Sequence, residues 1–266
     1  MNMRPEPGRP ASPVPGALTL TVLGSAASWS RTPGRASSSY LVRLGADSLV
    51  LDLGQGSFAE LAGRLDPASL RAVLISHLHP DHCVDLVPLR HYLRYGCTPP
   101  AQVPLRGPVS LRARFDALLG EPDFLALLPG PPLAPGGFDV GGMAVQVAAV
   151  RHEGESFAFR VSVGADPSRP GIVYSGDCGH AEDLLDLVRP GDTLLAEASF
   201  GAGNVPPGVG HLSATDSAGA AARAGAGRLI LTHLLDGSDP EAALAVARSL
   251  FSREVLVARP GLTIEA

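Results

Sequence analysis

The sequence predicts an α/β protein built as a four-layer αβ/βα sandwich, two mixed sheets face to face with helices outside. Three observations predict it. Short apolar runs of strand length alternate with helical stretches along the chain. The pattern, strands first and alternating helices and strands after, occurs twice. No linker inside 18–266 is long enough to separate independent units, so 17–266 reads as one domain of two halves.

Residues 1–16 are rich in proline and lack an apolar run, so they read as a disordered tail rather than a secretory signal. LTLTVLG (18–24), SYLVRL (39–44) and DSLVLDLG (47–54) read as successive strands, and 57–65 as a helix. Asp66-Pro67 supplies an N-cap and a first-turn proline for a short helical turn. RAVLIS (71–76) is a buried strand. Residues 82–95 carry Val84, Val87, Leu89 and Leu93 at helical spacing around Pro88. The proline- and glycine-rich stretch 98–137 holds one or two short helices and forms a flap or wall. In the second half, 143–150, 157–163, 171–176 and 193–199 read as strands, with a helix over 182–188. Ser213 with Asp216 forms a capping box opening a helix to about Gly225. A strand over 228–232, a helix over 240–251 and strands at 254–258 and 262–266 close the chain.

Composition bounds the function. Apolar residues make up 45%, which supports a packed core. The longest apolar runs fall well short of a membrane span. A net charge of −5 argues against an extended nucleic-acid surface while leaving room for one small phosphate-bearing substrate. All 21 cationic side chains are arginine, which rules out a lysine nucleophile. Cys83, Cys97 and Cys178 are too few and scattered for a disulfide framework, so a reducing, cytoplasmic compartment is expected.

The chemistry concentrates at Ser76-His77-Leu78-His79-Pro80-Asp81-His82, directly after a buried strand, where open α/β sheets place ligands. His77 and His79, two apart in an extended turn, can face one ion; Asp81 and His82 can face a second. His152, Asp177 and His233 each follow an apolar run, so all three can project from the same sheet edge. Five histidines and two aspartates suffice for two metal ions of the kind that accept imidazole and carboxylate. Asp177, with two oxygens, is the natural bridge. Asp52 and Asp85 are placed to accept hydrogen bonds from metal-bound histidines. Cys83 and Cys178, each next to a ligand position, read as buried inert thiols. His91 and Tyr92 either line a pocket or pack on a helix. Trp29 either stacks on a base or plugs a loop, and Arg31 either pairs with a phosphate or lies in solvent.

The pattern His77-x-His79-x-Asp81-His82, then His152, Asp177 and His233, resembles the metallo-β-lactamase superfamily from Leu18 onward. In that superfamily His77, His79 and His152 would hold one zinc, Asp81, His82 and His233 the other, and Asp177 would bridge. Manganese or iron can take the same sites. Asp rather than Cys at 177 separates the chain from the common β-lactamases, and His rather than Glu at 79 from the flavodiiron proteins. The segments Thr21-Val-Leu-Gly-Ser, Leu51-Asp-Leu-Gly-Gln-Gly, Tyr174-Ser-Gly-Asp177, Leu195-Ala-Glu197-Ala-Ser, Gly210-His211-Leu-Ser-Ala and Leu231-Thr-His233 resemble the ribonuclease Z-like branch. The tRNA 3′-processing enzymes of that branch carry a gripping arm between the positions of His152 and Asp177. Here those lie 25 positions apart, too close for one, and the His of their His-Glu-Ala-Thr motif is Ala196. The resemblance therefore implies a small-substrate phosphodiesterase similar to the cyclic-nucleotide phosphodiesterases, attacking through a metal-bridging hydroxide with Asp81, His211 and Glu197 as catalytic residues. His211 would give the leaving oxygen its proton and Glu197 would orient His211. Arylsulfatase, lactonase and tRNA-processing activities, and a scaffold without catalysis, are the competing readings. A homodimer is common in the branch.

Overall fold

The computed structural model describes residues 16–266 except 165 and 167. The expected tail, apart from Gly16, lies outside the described residues. The first half comprises strands β1 (Leu18–Gly24), β2 (Ser39–Leu44), β3 (Asp47–Leu51), β4 (Ala72–Leu74) and β5 (Leu105–Arg106) with helices α1 (Ser57–Ala62), α2 (Pro80–Cys83), α3 (Leu86–His91) and α4 (Leu111–Leu119). The second comprises β6 (Gly136–Val140), β7 (Met143–Ala149), β8 (Phe157–Val163), β9 (Ile172–Tyr174), β10 (Thr193–Glu197), β11 (Arg228–Thr232) and β12 (Glu254–Val257), with α5 (Ala214–Ala224) and α6 (Pro240–Leu250). A last strand, β13 (Thr263–Glu265), returns to the first sheet.

The sheets run β13-β1-β2-β3-β4-β5 and β12-β11-β10-β9-β8-β7-β6. Each starts antiparallel and turns parallel, at β3–β4 in one and β9–β10 in the other. Tight turns make the antiparallel part: Gly45 between β2 and β3, and Gly141 between β6 and β7, both with positive φ. The parallel part needs crossovers, and the helices supply them.

Alternation along the strands builds the four layers. Leu20, Val42, Leu49, Leu51 and Leu74 point inward to meet Val145, Val147, Phe159, Leu195 and Ile230 between the sheets. Leu41, Val50 and Val73 point outward against Leu61, Leu86, Leu89 and Phe115 of the first helical layer. Leu194, Ala196, Leu229 and Leu231 face Ala218, Ala221, Leu244 and Ala247 of the second. Both faces of each sheet are thus apolar, the reason the runs read as near-continuous in sequence. The four-layer sandwich is the architecture the sequence predicts.

Some elements differ. The helix expected over 82–95 is broken into α2, α3 and a wider turn at Tyr92–Gly96. The main chain of Leu53 takes the carbonyl of His82 and accepts from the amide of Asp85, which pulls the ladder apart. Pro88 then falls in the first turn of α3, where its missing N–H leaves no bond unmade. The helix expected at 182–188 is a 3₁₀ turn at Ala181–Leu184. Two strands go beyond the reading: two-residue β5 and largely exposed edge strand β6, both inside or bordering the Pro/Gly-rich stretch. The capping box at Ser213 and Asp216 and the Asp66 cap are present as expected.

Candidate metal centre

The site lies where the strands of both sheets end. Asp52 follows β3, His77 follows β4, Asp177 follows β9, Glu197 ends β10 and His233 follows β11. His79 takes an extended N-cap conformation with Pro80 at the first helical position, so Asp81 and His82 ride on the first turn of α2. Close packing fixes that turn: a β-carbon at Gly54 would collide with the main-chain carbonyl of Asp81. Asp52 and His233 both hold φ near +60°, a conformation that strains non-glycine residues by about 1–3 kcal/mol each. Both side chains reach the same site.

Two groups of ligand-type atoms converge there. His77 Nε2 lies 3.1 Å from His79 Nδ1, which lies 3.3 Å from His152 Nε2. His82 Nε2 lies 3.1 Å from His233 Nε2, and Asp81 Oδ2 3.2 Å from the same atom. Asp177 lies between the groups. Its Oδ2 is 3.7 Å from His77 Nε2 and 3.5 Å from His233 Nε2, and its Oδ1 is 3.3 Å from His82 Nε2. All seven residues are thus brought together.

The outer nitrogens are held. His152 Nδ1 donates to the Gly210 carbonyl at 2.6 Å, leaving Nε2 with a lone pair toward the centre. His82 Nδ1 donates to Asp52 Oδ2 at 2.7 Å. Asp52 also accepts from the Ser76 amide and hydroxyl and from the Tyr174 hydroxyl. His233 Nδ1 meets the Ser199 hydroxyl at 2.9 Å, and that hydroxyl donates to Glu197 at 2.6 Å. The amide of Ser28 donates to Asp81 at 2.7 Å.

Burial, then the neighbouring His82 charge, holds His77 well below the usual imidazole range. Burial likewise lowers His152. Burial would also lower His82, but the charges of Asp177 and Asp52 outweigh it and raise it. Burial would raise Asp177; the surrounding imidazoles, His233 and His82 first, hold it well below the carboxylate range.

The donor set fits divalent cations. Asp177 Oδ1 is buried and its nearest polar neighbour is His82 Nε2 at 3.3 Å. Imidazole nitrogens face one another at about van der Waals distance. A cation among them satisfies the orphaned oxygen and the inward lone pairs together.

His211 stands beside this cluster, with Nδ1 3.0 Å from Glu197 Oε1 and 3.8 Å from Asp177 Oδ2. Burial would lower it, but the Glu197 hydrogen bond and charge lift its pKa to about 9. A cleft of about 300 Å³ opens next to His79, walled by Pro108, Ser110, Arg114 and Glu153. Part of the stretch 98–137 is therefore a wall, as read.

Asp85 does not brace a histidine: its carboxylate accepts from the Phe58 amide at the start of α1. His91 bonds the Val87 carbonyl and Tyr92 bonds Asp66, so both serve helix packing. Trp29 is 54% exposed and plugs nothing. Arg31 pairs with Asp236 at 2.8 Å, clipping its loop to the segment after His233. Cys83 and Cys178 are buried, and burial pushes both thiols up to about 12. The sequence assigns no role to Ser76, Tyr174, Ser199 or Glu153 (3.4 Å from His79 Nε2), all of which reach the centre or its bracing groups. Ser199 carried a signal, two positions past Glu197 and hence on the same side of an extended chain.

The family profile described as "Beta-lactamase superfamily domain" matches residues 50–234. An uncharacterized protein of Mycobacterium leprae is 34% identical over 262 residues, covering 93% of this chain and 88% of its own length. The probable metallo-hydrolase YhfI of Bacillus subtilis is 26% identical over 93% of this chain and all of its own, and its crystal structure, titled a metallo-beta-lactamase fold protein, superposes with a TM-score of 0.84. A ribonuclease Z of Mycobacterium bovis is 27% identical, covering 90% of this chain and 95% of its own. With its two face-to-face sheets and its histidine–aspartate cluster at their shared edge, the chain belongs to the beta-lactamase superfamily.

Proposed function

We propose that the protein is a metal-dependent hydrolase that cleaves the phosphodiester bond of a small substrate, a cyclic nucleotide or a similar molecule. The observation that carries this reading is the pair of ligand groups meeting on Asp177, with His211 and Glu197 alongside. His77, His79 and His152 would hold one divalent cation, Asp81, His82 and His233 a second, and Asp177 would serve both; zinc is the first candidate, with manganese or iron able to take such nitrogen and oxygen donors. Bound there, the metals supply an activated water and take up negative charge on the phosphate oxygens.

The chain's own residues do the rest. The Ser28 N–H and His233 hold the buried Asp81 carboxylate in place, and His233 and His82 keep it ionised. His211, its Nδ1 anchored on Glu197, keeps an imidazolium proton at neutral pH and delivers it from Nε2 to the departing alkoxide. Proton donation of this kind is worth about 10²–10⁴ in rate. The connection between β8 and β9 runs only from 164 to 171, which leaves no arm for gripping a folded RNA and favours a small substrate. The Mycobacterium bovis relative is a ribonuclease Z, and ribonucleases cleave phosphodiester bonds. Buried thiols suit a cytoplasmic setting.

The test is metal analysis followed by turnover of bis-p-nitrophenyl phosphate, cyclic AMP, an aryl sulfate and a lactone. Two equivalents of divalent metal and hydrolysis of the phosphodiesters are expected. Turnover of the sulfate or lactone alone would replace the reading with the corresponding ester hydrolase.

A further inference from the structure

A second cavity lies apart from the cleft beside His79. It measures about 610 Å³ and lies between the loop 32–35, α6, β12 and the turn leading to β13. None of the seven residues of the centre lines it. Its volume falls within the range of small-molecule sites, about 300–1,000 Å³. Leu234, Leu244, Val255, Val257 and Leu262 give it an apolar wall. Arg35, Arg248 and Arg259 also line it, against a single acid, Glu241. Among the described residues no carboxylate pairs with Arg248 or Arg259, and Arg35 reaches Asp236 only at 3.9 Å. In a chain of net charge −5, three arginines and one acid line this apolar cavity, Arg248 with one nitrogen on the Val255 carbonyl at 3.2 Å, which makes a local reversal of sign.

We propose that this cavity is a second ligand site, for a small anion with an apolar body: a carboxylate on an acyl chain or a phosphate on a nucleoside. The apolar wall takes the body, and the arginines take the head in the planar, two-pronged geometry that carboxylate and phosphate share. The site abuts the segments that form the centre. Leu234 lies in its wall and directly follows His233, and Leu234 also bridges to Ala26, at the root of the loop whose Ser28 amide holds Asp81. Arg31 and Ser30 tie that same loop to Asp236.

The probe is 8-anilinonaphthalene-1-sulfonate, an anion with an apolar ring body that fluoresces when it leaves water. Saturable binding of one equivalent to the folded protein is expected, and decanoate or adenosine monophosphate should displace it. Displacement by decanoate identifies the acyl carboxylate, and displacement by the nucleotide identifies the phosphate. Arg259 is exposed, so Arg259→Glu preserves the fold, which a wild-type circular dichroism spectrum checks; it should weaken the probe at least about fivefold. Asp81→Ala, disabling the centre, should leave probe affinity unchanged. Wild-type affinity in Arg259→Glu, loss of binding in Asp81→Ala, or displacement by neither competitor would each overturn the proposal.

Discussion

His211 Nδ1 lies 3.0 Å from Glu197 Oε1 and 3.2 Å from Oε2, so one carboxylate holds the ring and its charge together. That pairing keeps the imidazolium protonated to about pH 9, well above the ordinary histidine value near 6.5. Removing the negative charge removes the cause. In Glu197→Gln the alkaline limb of the pH profile of the proposed phosphodiester hydrolysis should move toward neutrality, because the proton to be donated leaves earlier as pH rises. A limb that stays where it is would show that another group supplies the proton.

The leaving group provides an independent check on the same histidine. His211→Ala should lower kcat for cyclic AMP by about 10²–10⁴, since an alkoxide needs a proton. The variant should barely affect bis-p-nitrophenyl phosphate, whose phenolate departs unaided. Equal losses on both substrates would move His211 from proton donor to substrate binder.

Asp52 acts on the centre through His82, whose Nδ1 it holds at 2.7 Å, and through the Ser76 hydroxyl, which lies 3.0 Å from His77 Nδ1. Asp52→Asn should weaken divalent metal by about 10–100-fold, as losses of such bracing groups do. Competition with a chromophoric chelator measures this directly, with no need for a substrate.

Far from the centre, Asp192 is fully buried and accepts two bonds from Arg160 and the amides of Gly171 and Arg189. Asp192→Ala leaves a guanidinium in the interior without its counter-charge and should destabilise the fold by about 3–5 kcal/mol in urea unfolding.

The three thiols should divide by environment. Burial holds Cys83 and Cys178 up at about 12, so at pH 8 iodoacetamide should label only half-buried Cys97 in the native protein. Mass spectrometry after brief labelling distinguishes the sites; modification of Cys178 without unfolding would contradict the burial.

What the sequence could show was what it writes locally. The strands RAVLIS and TLLAEAS, the Ser213 capping box and the tight cluster from His77 to His82 are all statements made within a few residues. The separated ligands were readable because each follows an apolar run, which puts it at a strand end. The misses are contacts between distant segments. Nothing around Asp85 announces that its carboxylate turns to the start of α1, and nothing near Tyr174 announces Asp52. β5 has too few residues to show a period, and β6 begins with two glycines and faces solvent. The break after Cys83 is set by Leu53, thirty positions upstream, and so left no local trace.

Asp177 Oδ1 sits in the interior with no donor of its own. An unsatisfied buried polar group weighs on the native state by about 1–3 kcal/mol, and more when it is charged. An ion that binds only the folded chain lifts that burden and adds its own affinity to the free energy of folding. Removing divalent metal would then lower the resistance of the fold to urea as well as empty the centre.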